Sequence, residues 1–518
     1  MGSTAIDARP ARRRSFSGLH LLLLIGLALG GTALLISVLA QGVARNDLEI
    51  FLALLTLYAV LTVVFLVSQI RGGHFPFFDL PVFLTVVAFV RYGLLPLPVY
   101  LNTNLLDNYF RSADYPQLNR TFFLLLLGMV AFWAGCRLCR QASVETVSAD
   151  PISSESKSEV ALGWAVGLFI MGMGMKVYVM RTYGWGYAVT PEVLFAHLAT
   201  LQTLMAVADM SMFALGLMAV EICFHPHSSI RKVLFAIFFA AEVFWGALSG
   251  MKGNVFRCFI LVAVIVSIAK AKVEKKWIAA VLLGIVLVYP MQTRYRSMLR
   301  GGEVDTRKVG ALENAGSTAA QEAAQEESGW TGWLESGWAL TVGRLDLLQA
   351  MAISVSLDPW QVSRVQGDER WWMVPFYPFV PRFIWRDKPI LNRGQKLSIL
   401  LGAGSGTSTT LTYTGDLYMD FGLPGLLVGM CALGLFSQWI TNLIVRRPGK
   451  RELFLYGNFF LIAANLYEGD WFLVWVSLLK WIVLLTILAY LIYGFNRGRP
   501  EQQPSTLTKE GMAPAVPE

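Results

Sequence analysis

The chain has 518 residues, 55% of them hydrophobic and only 15% charged, well below the roughly 25% charge of a soluble globular protein. Repeated apolar runs of roughly 20 residues, long enough to cross a bilayer, make it an all-α polytopic membrane protein with about 12 transmembrane helices. The formal net charge of +8 calls for no nucleic-acid partner, because membrane proteins gather Lys and Arg in their cytoplasmic loops.

In chain order, "ARPARRRSFSG" precedes the first apolar run. No convincing small-residue cleavage site follows, so the run reads as a retained helix. Hydropathy predicts spans near 19–41, 50–70, 76–98, 120–136, 160–180, 199–223, 232–250, 254–270, 277–291, 422–445, 453–467 and 471–494. Arg12 to Arg14, Arg71, Arg137 with Arg140, and Arg231 with Lys232 lie at alternate ends of these spans, followed by Lys270 to Lys276, Arg446 to Arg451, and Arg497 with Arg499. By the positive-inside rule both termini are cytoplasmic, as expected of a multi-pass protein of the bacterial inner membrane. Residues 142–159 form a polar cytoplasmic linker, and 497–518 a tail without apolar periodicity, read as disordered. The chain thus divides into helices one to nine (1–291), a long loop (292–421), helices ten to twelve (422–496) and the tail, with no internal repeat.

Cys136, Cys139, Cys223, Cys258 and Cys431 all fall in or beside apolar runs. The CxxC of "GCRLCR" lacks a second pair or a nearby His, so neither metal nor cofactor is called for. Arg91, Lys176, Asp209, Glu242, Lys252 and Lys480 fall in or at the ends of spans, where they either pair structurally or serve a site.

A connection of about 130 residues exceeds what joining two helices requires, and long loops usually carry function. Parity puts 292–421 on the extracytoplasmic side. It opens on Arg294, Arg296, Arg300, Arg307 and Lys308, suited to an anion or simply exempt from the positive-inside rule. "WLESGWALTVGRLDLLQAMAISVSL" reads as an apolar helix lying in or re-entering the outer membrane face. Its Arg344 and Asp346 are two positions apart and point to different faces, so each needs another partner. Prolines 375, 378, 381 and 389 then prevent regular helix, and Trp371, Trp372 and Trp385 suit the membrane interface or a sugar-stacking wall. "GAGSGTSTT" lacks the lysine of a phosphate-binding loop.

"GRLDLLQAM", "PFVPRFIWRDKP" and "TYTGDLYMDFGLPGLLVGM" together resemble the Wzy-type family of bacterial oligosaccharide repeat unit polymerases, over roughly 335–430. The resemblance implies a glycosyltransferase acting on undecaprenyl-diphosphate-linked oligosaccharides at the periplasmic face, moving the growing glycan en bloc onto the next lipid-linked repeat. Membrane lipids and a polysaccharide co-polymerase are its expected partners. It implies cations for the diphosphate (Arg344 and Arg382 foremost, then Arg91, Lys252, Arg386, Lys388 and Arg294), a base at Asp416 or Asp346, and Tyr418 orienting a sugar or phosphate oxygen. Asp416 serves equally as a first-turn acid at a helix start. Two alternatives stay open: transfer to another acceptor, as in the O-antigen ligases, and a non-enzymatic lipid-linked oligosaccharide flippase. The long loop lacks the histidine expected of the ligases, and its clustered basic and aromatic residues favour an enzyme over a flippase.

Overall fold

A computed structural model describes residues 45–71, 78–96, 115–140, 155–186, 197–270, 346–380, 384–402, 409–445, 449–464 and 466–494, with isolated positions near 189–193 and 295–318. All regular structure among them is helical. The helices are α1 (Arg45–Arg71), α2 (Leu80–Ala88) running into a π-helix (Phe89–Leu94), α3 (Tyr115–Leu138), α4 (Glu155–Tyr183), α5 (Leu198–Ala208), α6 (Met210–Phe224), α7 (Ser229–Leu248) and α8 (Lys252–Ala269). Beyond the opening of the long loop come α9 (Leu348–Ser356), α10 (Pro359–Gln366), α11 (Arg393–Leu400), α12 (Tyr413–Val445), α13 (Lys450–Ala463) and α14 (Trp471–Tyr493). Six stretches are long and apolar enough to cross a membrane: Glu49–Gln69, Pro116–Leu138, Glu159–Tyr183, Thr200–Phe224, Tyr413–Ile444 and Trp471–Tyr493. The expected spans at 19–41 and 277–291 lie outside the described residues.

Helix α12 packs against α3, α9, α13, α2 and α14. Its seam with α3 is close because glycines face backbone. A Cβ on Gly434 would sit 2.1 Å from the Phe132 carbonyl oxygen, and one on Gly135 2.2 Å from that of Cys431. Small residues at such seams let helices approach where lipid offers no hydrophobic drive. Around it, Phe122, Phe132, Leu426, Met430, Phe454 and Phe460 form part of one continuous core.

Two expected boundaries move. The tenth span was placed from residue 422, but the helix starts at Tyr413, and Gly422 is a break inside it at φ 65° and ψ −156°. The Thr412 hydroxyl accepts the Gly415 N–H at 3.0 Å, capping a helix end that the sequence reading assigned to loop. The span at 199–223 is interrupted at Asp209, which ends α5 and begins α6.

Polar contacts gather helix termini into two groups. At one end Arg140 donates to the Ser68 carbonyl at 3.3 Å, Asn442 to that of Cys139 at 2.9 Å, and Lys450 to Glu221 at 2.9 Å. At the other, residues 346–420 fold over the starts of α12 and α14 and the end of the π-helix.

Candidate functional site

The first two turns of α12, "TYTGDLYMD", set the geometry of this second end. Asp416 and Asp420 are four residues apart and share one helix face; Thr414 and Tyr418 share the next.

The acidic face meets Arg393, the first residue of α11, whose side chain is 1% exposed. Its Nη1 donates to Asp416 at 2.9 and 3.0 Å and to Asp420 at 2.9 Å, while Nε donates to Glu369 at 2.6 Å. Helix α14 closes the cluster: the Trp471 N–H donates to Asp416 at 2.9 Å and its indole N–H to Asp420 at 2.6 Å. Gln366 of α10 donates to Asp420 at 2.8 Å. Asp470, the N-cap of α14, accepts the Leu473 N–H at 2.6 Å. Burial alone would favour a neutral guanidine, but Asp416, Asp420, Glu369 and Asp470 overcome it and raise the Arg393 pKa, holding it charged. Burial likewise pushes the Glu369 and Asp470 carboxyls above the ordinary carboxylate range, against the pull of Arg393. One guanidinium therefore clamps carboxylates from three separate chain segments, and the buried charge is net negative.

The neighbouring face meets the π-helix. Such one-turn irregularities recur at functional sites. The Tyr92 hydroxyl lies 3.1 Å from that of Thr414, and buried Arg91 pairs with Glu468, which is 35% exposed. The Arg91 carbonyl accepts the Leu347 N–H at 3.2 Å, bringing "DLLQAM" alongside. Asp346 turns back to accept the Leu348 N–H at 2.9 Å. Burial, opposed by that bond and others, pushes its carboxyl up to about 6. Tyr418 accepts from Arg120 of α3 at 3.0 Å.

Of the expected site residues, Asp416, Asp346, Arg91 and Tyr418 all lie at this end of the bundle. Asp416 is fully buried and holds both oxygens in the clamp. Lys388 donates to the Val380 carbonyl at 2.9 Å and lies 4.2 Å from the Tyr377 ring centroid, closing its own loop. Arg386 is exposed. Lys252 opens α8, while Arg294, Arg344 and Arg382 lie outside the described residues. Arg393, Glu369, Asp420, Asp470 and Arg120 were not singled out from sequence; the i, i+4 spacing of Asp416 and Asp420 is the one signal that pointed to a shared cationic partner. Trp371 and Trp372 are exposed, as are Phe376, Phe379 and Ile384. Among the described residues, no group of three or more His, Cys, Asp and Glu side chains is placed to hold a metal ion.

No curated protein and no solved structure matches the chain. A profile of the family described as "Domain of unknown function (DUF8712)" matches residues 175–491. That stretch is more than half of the chain and takes in the whole Arg393 clamp, so the protein belongs to the DUF8712 family.

Proposed function

We propose that this protein is an inner-membrane glycosyltransferase that polymerises undecaprenyl-diphosphate-linked oligosaccharide repeat units at the periplasmic face, transferring the growing glycan en bloc to the next lipid-linked repeat. The observation that carries this reading is convergence. "DLLQAM" and "TYTGDLYMDFG", both taken from the resemblance, meet Arg91 at one end of the bundle, and the segment between them folds over the same end. A mouth with Arg91, Arg120 and Tyr418 beside an aromatic loop suits a diphosphate at a membrane surface.

In this reading cations take up the charge on the departing diphosphate. The acceptor hydroxyl gives its proton to a carboxylate. Asp346 suits that task better than Asp416, because a carboxyl poised near 6 retains proton affinity, while Asp416 has both oxygens occupied by the clamp. Twelve spans with both termini cytoplasmic belong to the same proposal, as does a co-polymerase partner. The decisive experiment is Arg344→Ala and Arg382→Ala in a cell that makes surface polysaccharide. Each variant, expressed at the normal level, is expected to shorten the polymer to one or a few repeats. Wild-type polymer length in both would end the proposal.

A further inference from the structure

Arg120 stands outside both the buried clamp and the segments that carry the resemblance. It is exposed, in the second turn of α3, and one of its terminal nitrogens donates to the Tyr418 hydroxyl at 3.0 Å. No carboxylate among the described residues lies within ion-pair distance of it. A guanidinium has five N–H donors and no acceptor, so most of this fork points to the outside. Tyr418, having accepted from Arg120, keeps its own O–H to donate, and no described residue offers it an acceptor. The pair therefore presents donors only, with one fixed positive charge. That is the complement of a group made of acceptor oxygens and negative charge.

What lies beneath the pair narrows the ligand. Phe123 and Val130 follow Arg120 by three and ten residues, positions on the same side of a 3.6-residue helix, and they are 51% and 47% exposed. Across the seam, Phe421 and Leu423 at the kink of α12 are 42% and 40% exposed. Polar donors at the helix mouth above an uncovered apolar stripe fit an amphiphile with a phosphate head and a hydrocarbon tail.

We propose that Arg120 and Tyr418 form a recognition site for the phosphate head of a prenyl diphosphate, with the prenyl chain lying along the Phe123–Val130 stripe of α3. The site deepens the proposed function and rests on it for the choice of a diphosphate over a monophosphate head. It adds Arg120 as a substrate-positioning residue outside the long loop.

The test uses the full-length protein in phosphatidylcholine nanodiscs, with farnesyl diphosphate as the probe and inorganic pyrophosphate and phosphatidylglycerol as competitors. Loss of a charged hydrogen-bonding partner is expected to weaken farnesyl diphosphate binding about tenfold or more in Arg120→Gln. Tyr418→Phe, which removes one oxygen, is expected to weaken it several-fold, and Arg120→Lys to recover part of the loss. Unchanged binding in Arg120→Gln overturns the proposal, as does wild-type protein that binds no farnesyl diphosphate. Equal competition by pyrophosphate or by phosphatidylglycerol also overturns it, by showing a free-anion site or a general lipid contact. The two readings fail separately. Binding lost in Arg120→Gln with full-length polymer in Arg344→Ala and Arg382→Ala keeps the lipid-diphosphate site and ends the polymerase. Binding retained in Arg120→Gln with short polymer in those variants does the reverse.

Discussion

Arg393 shows how much one side chain can decide. Its partners Glu369, Asp416 and Asp420 lie 24, 23 and 27 residues away in sequence, so no local pattern in "LNRGQK" marks it as buried. Removing one partner of a buried ion pair leaves uncompensated charge and costs about 3–5 kcal/mol. Arg393→Gln is therefore expected to lower the thermal midpoint in detergent sharply and to lift the loop off α12. Arg393→Lys keeps the charge but not the fork, so it should fall between. Equal midpoints for all three proteins would show that the clamp contributes nothing to stability. Asp346 gives a prediction in pH. Its carboxyl sits at about 6 in the fold against an ordinary 3.8, so the folded state favours the protonated form. That contribution to stability is complete below about pH 4 and is lost as pH rises through about 6. Asp346→Asn should flatten this part of the profile, read as thermal midpoint against pH from 4 to 7. The sequence did show that Asp346 needs a partner other than Arg344, because side chains two apart on a helix diverge. It could not show that the partners are the backbone N–H groups of its own turn.

At the scale of elements, the apolar runs made the helices legible, while the breaks were harder to see. Hydropathy averages over a window, and a single Gly422 at φ 65° and ψ −156° leaves the apolar signal of α12 intact while turning its axis. That region of backbone space is open to glycine almost alone, and forcing another residue into it costs about 1–3 kcal/mol. Gly422→Ala should weaken the fold by that amount and shift the first turns of α12, which carry Asp416 and Tyr418. Gly434→Ala acts on the seam instead, since its new methyl would meet the Phe132 carbonyl from 2.1 Å. It should separate α3 from α12, and a cysteine pair engineered across that seam would then cross-link more slowly. Unchanged cross-linking would show that the seam has room to spare. Glycine spacing alone did not reveal this contact, because the same residue type also lies open on α4, where nothing surrounds Gly163 or Gly167.

For the whole molecule, charge at alternate helix ends was the most informative pattern in the sequence. Arg140, Lys450 and Arg231 share one end, with contacts to Ser68, Glu221 and Glu159, as the alternation required. Placing that end in the cytoplasm leads to a direct check. A cysteine at exposed Asp368, in a variant stripped of native cysteines, should react with a membrane-impermeant thiol reagent applied from the periplasmic side. Labelling only after the membrane is opened would invert the topology. The clamp also has a consequence for biosynthesis. A chain made from its N-terminus delivers Glu369, Arg393, Asp416 and Asp420 well before Trp471, whose two N–H groups hold the last two carboxylates. The loop thus reaches its final shape only once the C-terminal helix has entered the membrane. A nascent chain stalled before α14 would carry all the loop's charged residues without their lock, and truncation at the far end would act on this distant site.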